Sequence, residues 1–217
     1  MSTFNDIDIE CTACGEEFRA TVWVAIHAGE DPKLKDLLRG GELNLVSCPA
    51  CGHVSFQERF LIYQEPVAEL VAYVYPDAQH NEEAELRKLM LSGFQEAQEI
   101  LSKKDRLNYD PVLVFGLESL IEMLRQEDEF AEQSQVAQAF CKQNNIETTL
   151  LRPSQARRLG TMRVIPHVGK GYPPTPDDII AGIDRLLTID PVLTLYAKLK
   201  ETIAKDPGWT LKSESMA

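Results

Sequence analysis

The sequence predicts an α+β fold, with strands first and helices after. Three observations carry this. The first 78 residues read mostly as strand, and in one run Phe18, Ala20, Val22, Val24 and Ile26 alternate imperfectly with Arg19, Thr21, Trp23 and Ala25. From residue 79 onward apolar positions recur at helical spacing, beginning with Leu86, Met90, Phe94, Ala97 and Leu101. Two matching cysteine pairs, Cys11-Thr12-Ala13-Cys14-Gly15 and Cys48-Pro49-Ala50-Cys51-Gly52, lie inside the strand-rich part. Paired hooks of this form predict a β-rich zinc ribbon at the N-terminus, followed by a mostly helical body.

Each element has a local reason. After the first alternating run, Asp31-Pro32 predicts a helix start, with Asp31 as cap and Pro32 at the first helical position. The short helix Lys33–Arg39 then stops at Gly40-Gly41. Glu42–Val46 leads into the second hook as a strand, and Val54–Tyr63 leads out of it. Leu70–Tyr75 is a further strand, closed by Pro76. A helix is predicted over Asn81–Lys103. Asp110-Pro111 breaks it, Val112–Phe115 is extended, and Gly116 closes that run. Leu117, Leu120, Ile121 and Leu124 open a second helix, whose periodicity continues to about residue 143.

Residues 148–176 hold no acidic residue but carry Arg152, Arg157, Arg158, Arg163, His167 and Lys170. Their glycines and prolines predict an arm with little regular structure. Thr175-Pro176-Asp177-Asp178 then starts a helix striped by Ile179, Ile180, Ile183, Leu186 and Leu187. Asp190-Pro191 starts the last one, Asp206-Pro207-Gly208 stops it, and the remaining residues are expected to fray. The expected organisation is a ribbon domain over 1–78, a helical region over 79–147, and a basic arm with a C-terminal helix pair over 148–217.

Composition bounds the function. The chain has 217 residues, 44% of them hydrophobic, so it folds rather than staying disordered. No apolar run approaches the roughly 20 residues that span a bilayer. The N-terminal residues lack the basic start and apolar stretch of a signal peptide, which predicts a cytoplasmic location, where thiols stay reduced. The net charge is −12. Residues 1–80 hold five Lys/Arg against thirteen Asp/Glu, and 81–150 hold seven against fourteen, while 151–217 reverse to ten against seven. Four thiolates around a divalent cation add further negative charge to the first segment. Nucleic acid, a polyanion, is therefore disfavoured as a partner.

Cys11, Cys14, Cys48 and Cys51 are the candidate metal ligands. Thirty-three residues separate Cys14 from Cys48, enough for the strand–helix–strand insert. Ala13 and Ala50 keep each turn open, and Pro49 pre-sets the second. Gly15 and Gly52 tolerate positive φ and allow backbone N–H groups to approach the sulfurs without a Cβ clash. Four free thiols, or a disulfide in each hook, is the competing reading. Four-sulfur sites hold zinc or iron, and the hooks also resemble those of rubredoxin. One structural Zn2+ is the expected cofactor, iron the alternative. A closed site leaves no position for water or substrate.

His53 reads as a surface residue or one that supports the ligands from behind. His27, His80 and His167 have no paired ligand nearby in sequence, and HExxH is absent. Cys141, on an apolar helix stripe, reads as a buried thiol. Gly169-Lys170-Gly171 lacks the spacing of a phosphate loop. No catalytic or organic-cofactor residues are identified.

The segment Cys11–Gly15 with Glu17-Phe18, then Trp23, the Asp31-Pro32 helix, Gly41–Asn44, Cys48–Gly52 and Leu61-Ile62-Tyr63 resembles the CpXC-domain family of bacteria and archaea. Val114–Leu120 fits the same pattern. The likeness covers roughly residues 8–130. Thr12 stands where the family's motif has Pro, which loosens the first turn but leaves the sulfurs. The resemblance implies two cysteine hooks that bind metal.

The leading expectation is a non-catalytic, zinc-stabilised protein-interaction module of the assembly or regulatory adaptor type. A protein partner or self-association is expected, and no membrane. Trp23 and Phe56 are candidate partner contacts, with core packing favoured for each. The alternatives are a rubredoxin-like iron electron carrier and an enzyme with a site in the helical body.

Overall fold

The computed structural model describes residues 1–206 and 208–211. The chain divides into two compact units, Met1–Arg125 and Gln126–Ala217.

The first unit contains β1 (Thr3–Glu10), β2 (Glu17–His27), α1 (Pro32–Arg39), β3 (Leu45–Ser47), β4 (Val54–Phe56), β5 (Leu61–Glu65), β6 (Leu70–Tyr75), α2 (Glu83–Ile100), β7 (Val112–Phe115) and the start of α3 (Leu117–Gln143). Five strands form one sheet in the order β1-β2-β5-β6-β7, and β3 and β4 form a separate antiparallel hairpin. The sheet is mixed: β1–β2 and β5–β6 are antiparallel, β2–β5 and β6–β7 parallel. Parallel neighbours require a long crossover. The β2–β5 crossover carries α1 and the β3–β4 hairpin, and the β6–β7 crossover carries α2.

Period-two alternation aims Val22 and Ile26 of β2, Leu61 and Tyr63 of β5, and Leu70, Ala72 and Val74 of β6 into buried positions. Most of these join Leu34 and Leu38 of α1, Leu43, and Leu120 and Leu124 of α3 in one core. An eight-residue helix is not stable alone in water. Burial of Leu34 and Leu38, each contributing about 2 kcal/mol, holds α1 in place. Asp31 does not cap this helix through its side chain. Its carboxylate instead accepts a hydrogen bond from the Ser2 N–H at 3.2 Å.

One residue ties the hairpin to the sheet. The β2–β5 pairing reaches back only to Ala25. Beyond it, the Asn44 side chain bonds both backbone groups of Trp23: Oδ1 accepts from the N–H at 2.7 Å, and Nδ2 donates to the carbonyl at 3.0 Å. The Asn44 carbonyl accepts from the Gln57 N–H at 3.0 Å. Asn44 is buried, with φ +58°, a conformation that Asn tolerates better than most residues. Asn44→Ala is therefore expected to cost about 2–4 kcal/mol, from an unsatisfied buried donor and acceptor plus left-handed strain. Asn44→Gly removes the strain and isolates the hydrogen-bond part. Urea unfolding midpoints at constant m-value check both.

The second unit contains the rest of α3, then β8 (Glu147–Leu150), α4 (Pro153–Leu159), β9 (Val164–His167), α5 (Pro176–Ile189) and α6 (Thr194–Lys205). Its core gathers Ala137 and Cys141 of α3, Ile165 of β9, Ile179, Ile183 and Leu186 of α5, and Tyr196, Leu199 and Ile203 of α6. The Tyr196 hydroxyl donates to the Val164 carbonyl at 2.6 Å.

Residues 148–176 correct the expected unstructured arm. They contain most of β8, all of α4 and all of β9, with β8 and β9 antiparallel. The residues read as loop punctuation are boundary residues here. Pro153 occupies the first turn of α4, and Gly160 ends it at φ +58°. Pro166 sits inside β9, which has a single hydrogen-bonded neighbour and so needs no second row of donors. Arg157 forms an ion pair with Glu127 of α3.

The start of α5 matches its sequence: the Thr175 hydroxyl accepts from the Asp178 N–H at 3.2 Å, and the Asp178 carboxylate returns the bond. α6 begins at Thr194 rather than at Pro191. The Asp190 carboxylate is taken up by the Val192 N–H at 3.0 Å, which makes a turn there instead of a cap. α6 ends at Lys205. Trp209 and Leu211, among the residues expected to fray, are instead buried in the core of this unit, while Pro207 and residues 212–217 lie outside the described residues. Among the described residues no helix is long and apolar enough to cross a membrane.

Candidate metal centre

Each hook is the tip of a hairpin. β1 and β2 pair as far as Glu10 and Glu17, and the Cys11 N–H then donates to the Glu16 carbonyl at 2.9 Å. β3 and β4 pair as far as Ser47 and Val54, and the Cys48 N–H donates to the His53 carbonyl at 2.8 Å. Inside each tip the glycine N–H returns to the first cysteine's carbonyl: Gly15 to Cys11 at 2.8 Å, and Gly52 to Cys48 at 2.9 Å. The two hooks therefore share one hydrogen-bond pattern, closed by φ of +74° at Gly15 and +72° at Gly52. A Cβ on either glycine meets nothing within 4 Å. The positive φ is what calls for glycine at both positions.

The four sulfurs converge. Cys11 Sγ lies 3.6 Å from Cys51 Sγ, and Cys14 Sγ lies 3.7 Å from Cys48 Sγ. All four lie within 4.8 Å of one another. Each short contact joins one hook to the other, and both are far longer than a disulfide bond of about 2.05 Å. The cysteines are free thiols, which removes the alternative of a disulfide in each hook. A tetrahedral metal with bonds of about 2.3 Å to sulfur sets its sulfurs about 3.8 Å apart. The donor set and its spacing fit such an ion, so the four cysteines are able to bind one metal. Among the described residues this is the one cluster of His, Cys, Asp and Glu so placed. Cys11 and Cys48 are buried, Cys14 and Cys51 exposed.

Backbone N–H groups supply the surrounding electrostatics. The Ala13 N–H, helped by that of Cys14, draws the Cys11 thiol down to about 6. The Glu16 N–H, just beyond Gly15, pulls Cys14 down, but the neighbouring sulfurs of Cys51, Cys11 and Cys48 push it up to about 12. The His53 N–H, just beyond Gly52, acts in the same way on Cys51, whose thiol is nevertheless raised by burial and by Cys11 and Cys48. Cys11 thus gives up its proton readily while Cys14 and Cys51 resist a second negative charge. A divalent cation relieves that repulsion and displaces the remaining protons.

The other candidates fall elsewhere. His53 is exposed, with Nε2 3.4 Å from the Thr12 hydroxyl, beside the cluster and outside it. The His80 ring packs on Phe115 at 4.6 Å, and His27 Nδ1 stands 4.0 Å from Glu30. His167 is buried between the Thr149 hydroxyl at 3.1 Å and the Gly169 carbonyl at 2.9 Å. Cys141 is buried as expected, and burial pushes its thiol up to about 11. Trp23 packs partly against the core, with its ring edge-on to Phe4 at 5.4 Å. Phe56, for which the sequence favours core packing, is exposed instead. Asn44 was not identified from the sequence. The sequence reading places it inside the strand Glu42–Val46 and in the stretch Gly41–Asn44 that carries the family resemblance, which marks the position without giving its role.

A family model described as CpXC protein matches residues 9–134, which include both hooks, the end of β1 and all of β2, β5, β6 and β7. No curated protein and no solved structure matches the chain. The match covers more than half of the 217 residues and contains all four converging sulfurs, so the chain belongs to the CpXC family.

Proposed function

We propose that the four thiols hold a single Zn2+ as the structural rivet of a non-catalytic protein-interaction module, acting as an assembly or regulatory adaptor. The observation that carries this reading is the closed donor set: four sulfurs from two hairpin tips, each tip braced by its own backbone hydrogen bonds. Bound there, zinc supplies four thiolate bonds and keeps no open position for substrate. Its binding energy is then folding energy, as in other small metal domains. The second hook needs such support, since β3–β4 is a two-stranded hairpin of three-residue strands, marginal on its own.

Iron is the other ion this donor set suits, and it would make the centre an electron carrier. Elemental analysis of protein purified without added metal separates the readings. One zinc per chain in a colourless sample is the expected result. Visible thiolate-to-iron absorbance that bleaches on reduction establishes the carrier instead. A fully folded, metal-free native protein overturns both.

A further inference from the structure

The outer face of the β3–β4 hairpin is apolar and uncovered. Leu45 and Phe56 stand opposite each other in the pairing register, with Val54 two residues along, and they are 44%, 43% and 55% exposed. Beside them opens a groove of about 550 Å3, bounded by the end of β7 and the first turns of α3. Its apolar lining includes Leu45, Phe56, Phe115 and Ile121. Glu58, Asp77 and Glu118 also line it, and no Lys or Arg does. Glu58 is held in position by accepting the Asp77 N–H at 3.0 Å. The unit that contains the groove holds eleven Lys/Arg against twenty-two Asp/Glu, so its wider field has the same sign as the lining.

We propose that this groove docks a cationic amphipathic segment of a partner protein. A large apolar side chain of the partner seats against Leu45, Phe56 and Ile121, and flanking Lys or Arg side chains pair with Glu58, Asp77 and Glu118. The apolar surface supplies burial, and the carboxylates select the sign of the partner and speed its approach. The volume lies within the range of pockets that bury drug-sized ligands, which is room for a few side chains. A second copy docking through its own Met1–Arg125 unit would bring acid against acid, and nucleic acid would bring phosphate against acid. This inference names the partner for the interaction module and rests on that reading.

The test uses the full-length, metal-loaded protein and a display library of random 12-residue peptides. Peptides that pair Lys or Arg with a large apolar residue are expected to be enriched. Their affinity is expected to fall at least tenfold with Phe56→Asp and severalfold with Glu118→Lys. It should weaken from 50 to 500 mM salt and stay unchanged with Leu150→Asp, at an exposed position of the other unit. Zinc content and unfolding midpoint, measured on every variant, show that each remains folded and loaded. Absence of enrichment, enrichment of acidic peptides, indifference to both groove variants, or a dimer abolished by Phe56→Asp each overturns the proposal. Zinc-loaded protein that selects nothing defeats the groove alone, whereas selection by metal-free protein defeats the zinc reading and leaves the groove standing.

Discussion

Cys48→Ser is expected to release the metal and unfold the two hairpins that meet at it. Cys48 is 2% exposed, and its sulfur faces Cys14 across the two hooks at 3.7 Å. A serine hydroxyl is not a thiolate at neutral pH and does not replace the lost bond. Structural zinc contributes on the order of 10–16 kcal/mol of apparent binding energy in small domains. Whole-domain stability is only about 5–15 kcal/mol, so with zinc bound as proposed, losing the site removes an energy comparable to the whole margin. Cys141→Ser is the matched control, a buried cysteine remote in sequence from the hooks. It is expected to cost about 1–3 kcal/mol for burying a hydroxyl and to leave metal content at one per chain. Metal stoichiometry and far-ultraviolet circular dichroism report the two results. A Cys48→Ser protein that retains both the metal and the native spectrum contradicts the structural role.

The same contrast explains what the sequence made legible. The clustering of the four cysteines is legible because each hook places two sulfurs on one turn. The strands Leu70–Tyr75 and Val112–Phe115 were read correctly because each is an apolar run bounded by a breaker, Pro76 in one case and Gly116 in the other. The hairpin formed by β1 and β2 was only half visible. β1, Thr3–Glu10, is mostly exposed edge with carboxylates at Asp6, Asp8 and Glu10, so it shows little hydrophobic signal. Residues 148–176 failed for a different reason. Pro153, Gly160 and Pro166 serve as a helix start, a helix end and a one-sided strand residue, and local composition alone does not distinguish those roles from loop. Asn44 was missed because its importance lies in two hydrogen bonds to Trp23, 21 residues away. Phe56 reversed expectation because β4 has no sheet against its outer face.

Gly182→Ala is expected to destabilise the second unit by about 3 kcal/mol, against the direction that helix propensity gives. Gly182 lies within α5, where alanine is favoured over glycine by about 1 kcal/mol. A Cβ there would stand 2.4 Å from His167 Cα, 2.5 Å from His167 N and 2.6 Å from the Pro166 carbonyl carbon. These are backbone atoms of β9, and they cannot rotate away as a side-chain end can. The helix must lift from the strand. That loosens the Val168 N–H to Asp178 carbonyl bond, 3.2 Å long, and strains the buried pairing of His167 with Thr149. Overpacking costs typically about 1–3 kcal/mol even where side chains yield, so a backbone clash outweighs the propensity gain. Gly93→Ala in α2 isolates the propensity, since its Cβ meets nothing within 4 Å. It is expected to stabilise by about 0.5–1 kcal/mol. One substitution type made in two helices should thus move the urea midpoint in opposite directions. A stabilising Gly182→Ala would mean that α5 does not lie against β9 as described.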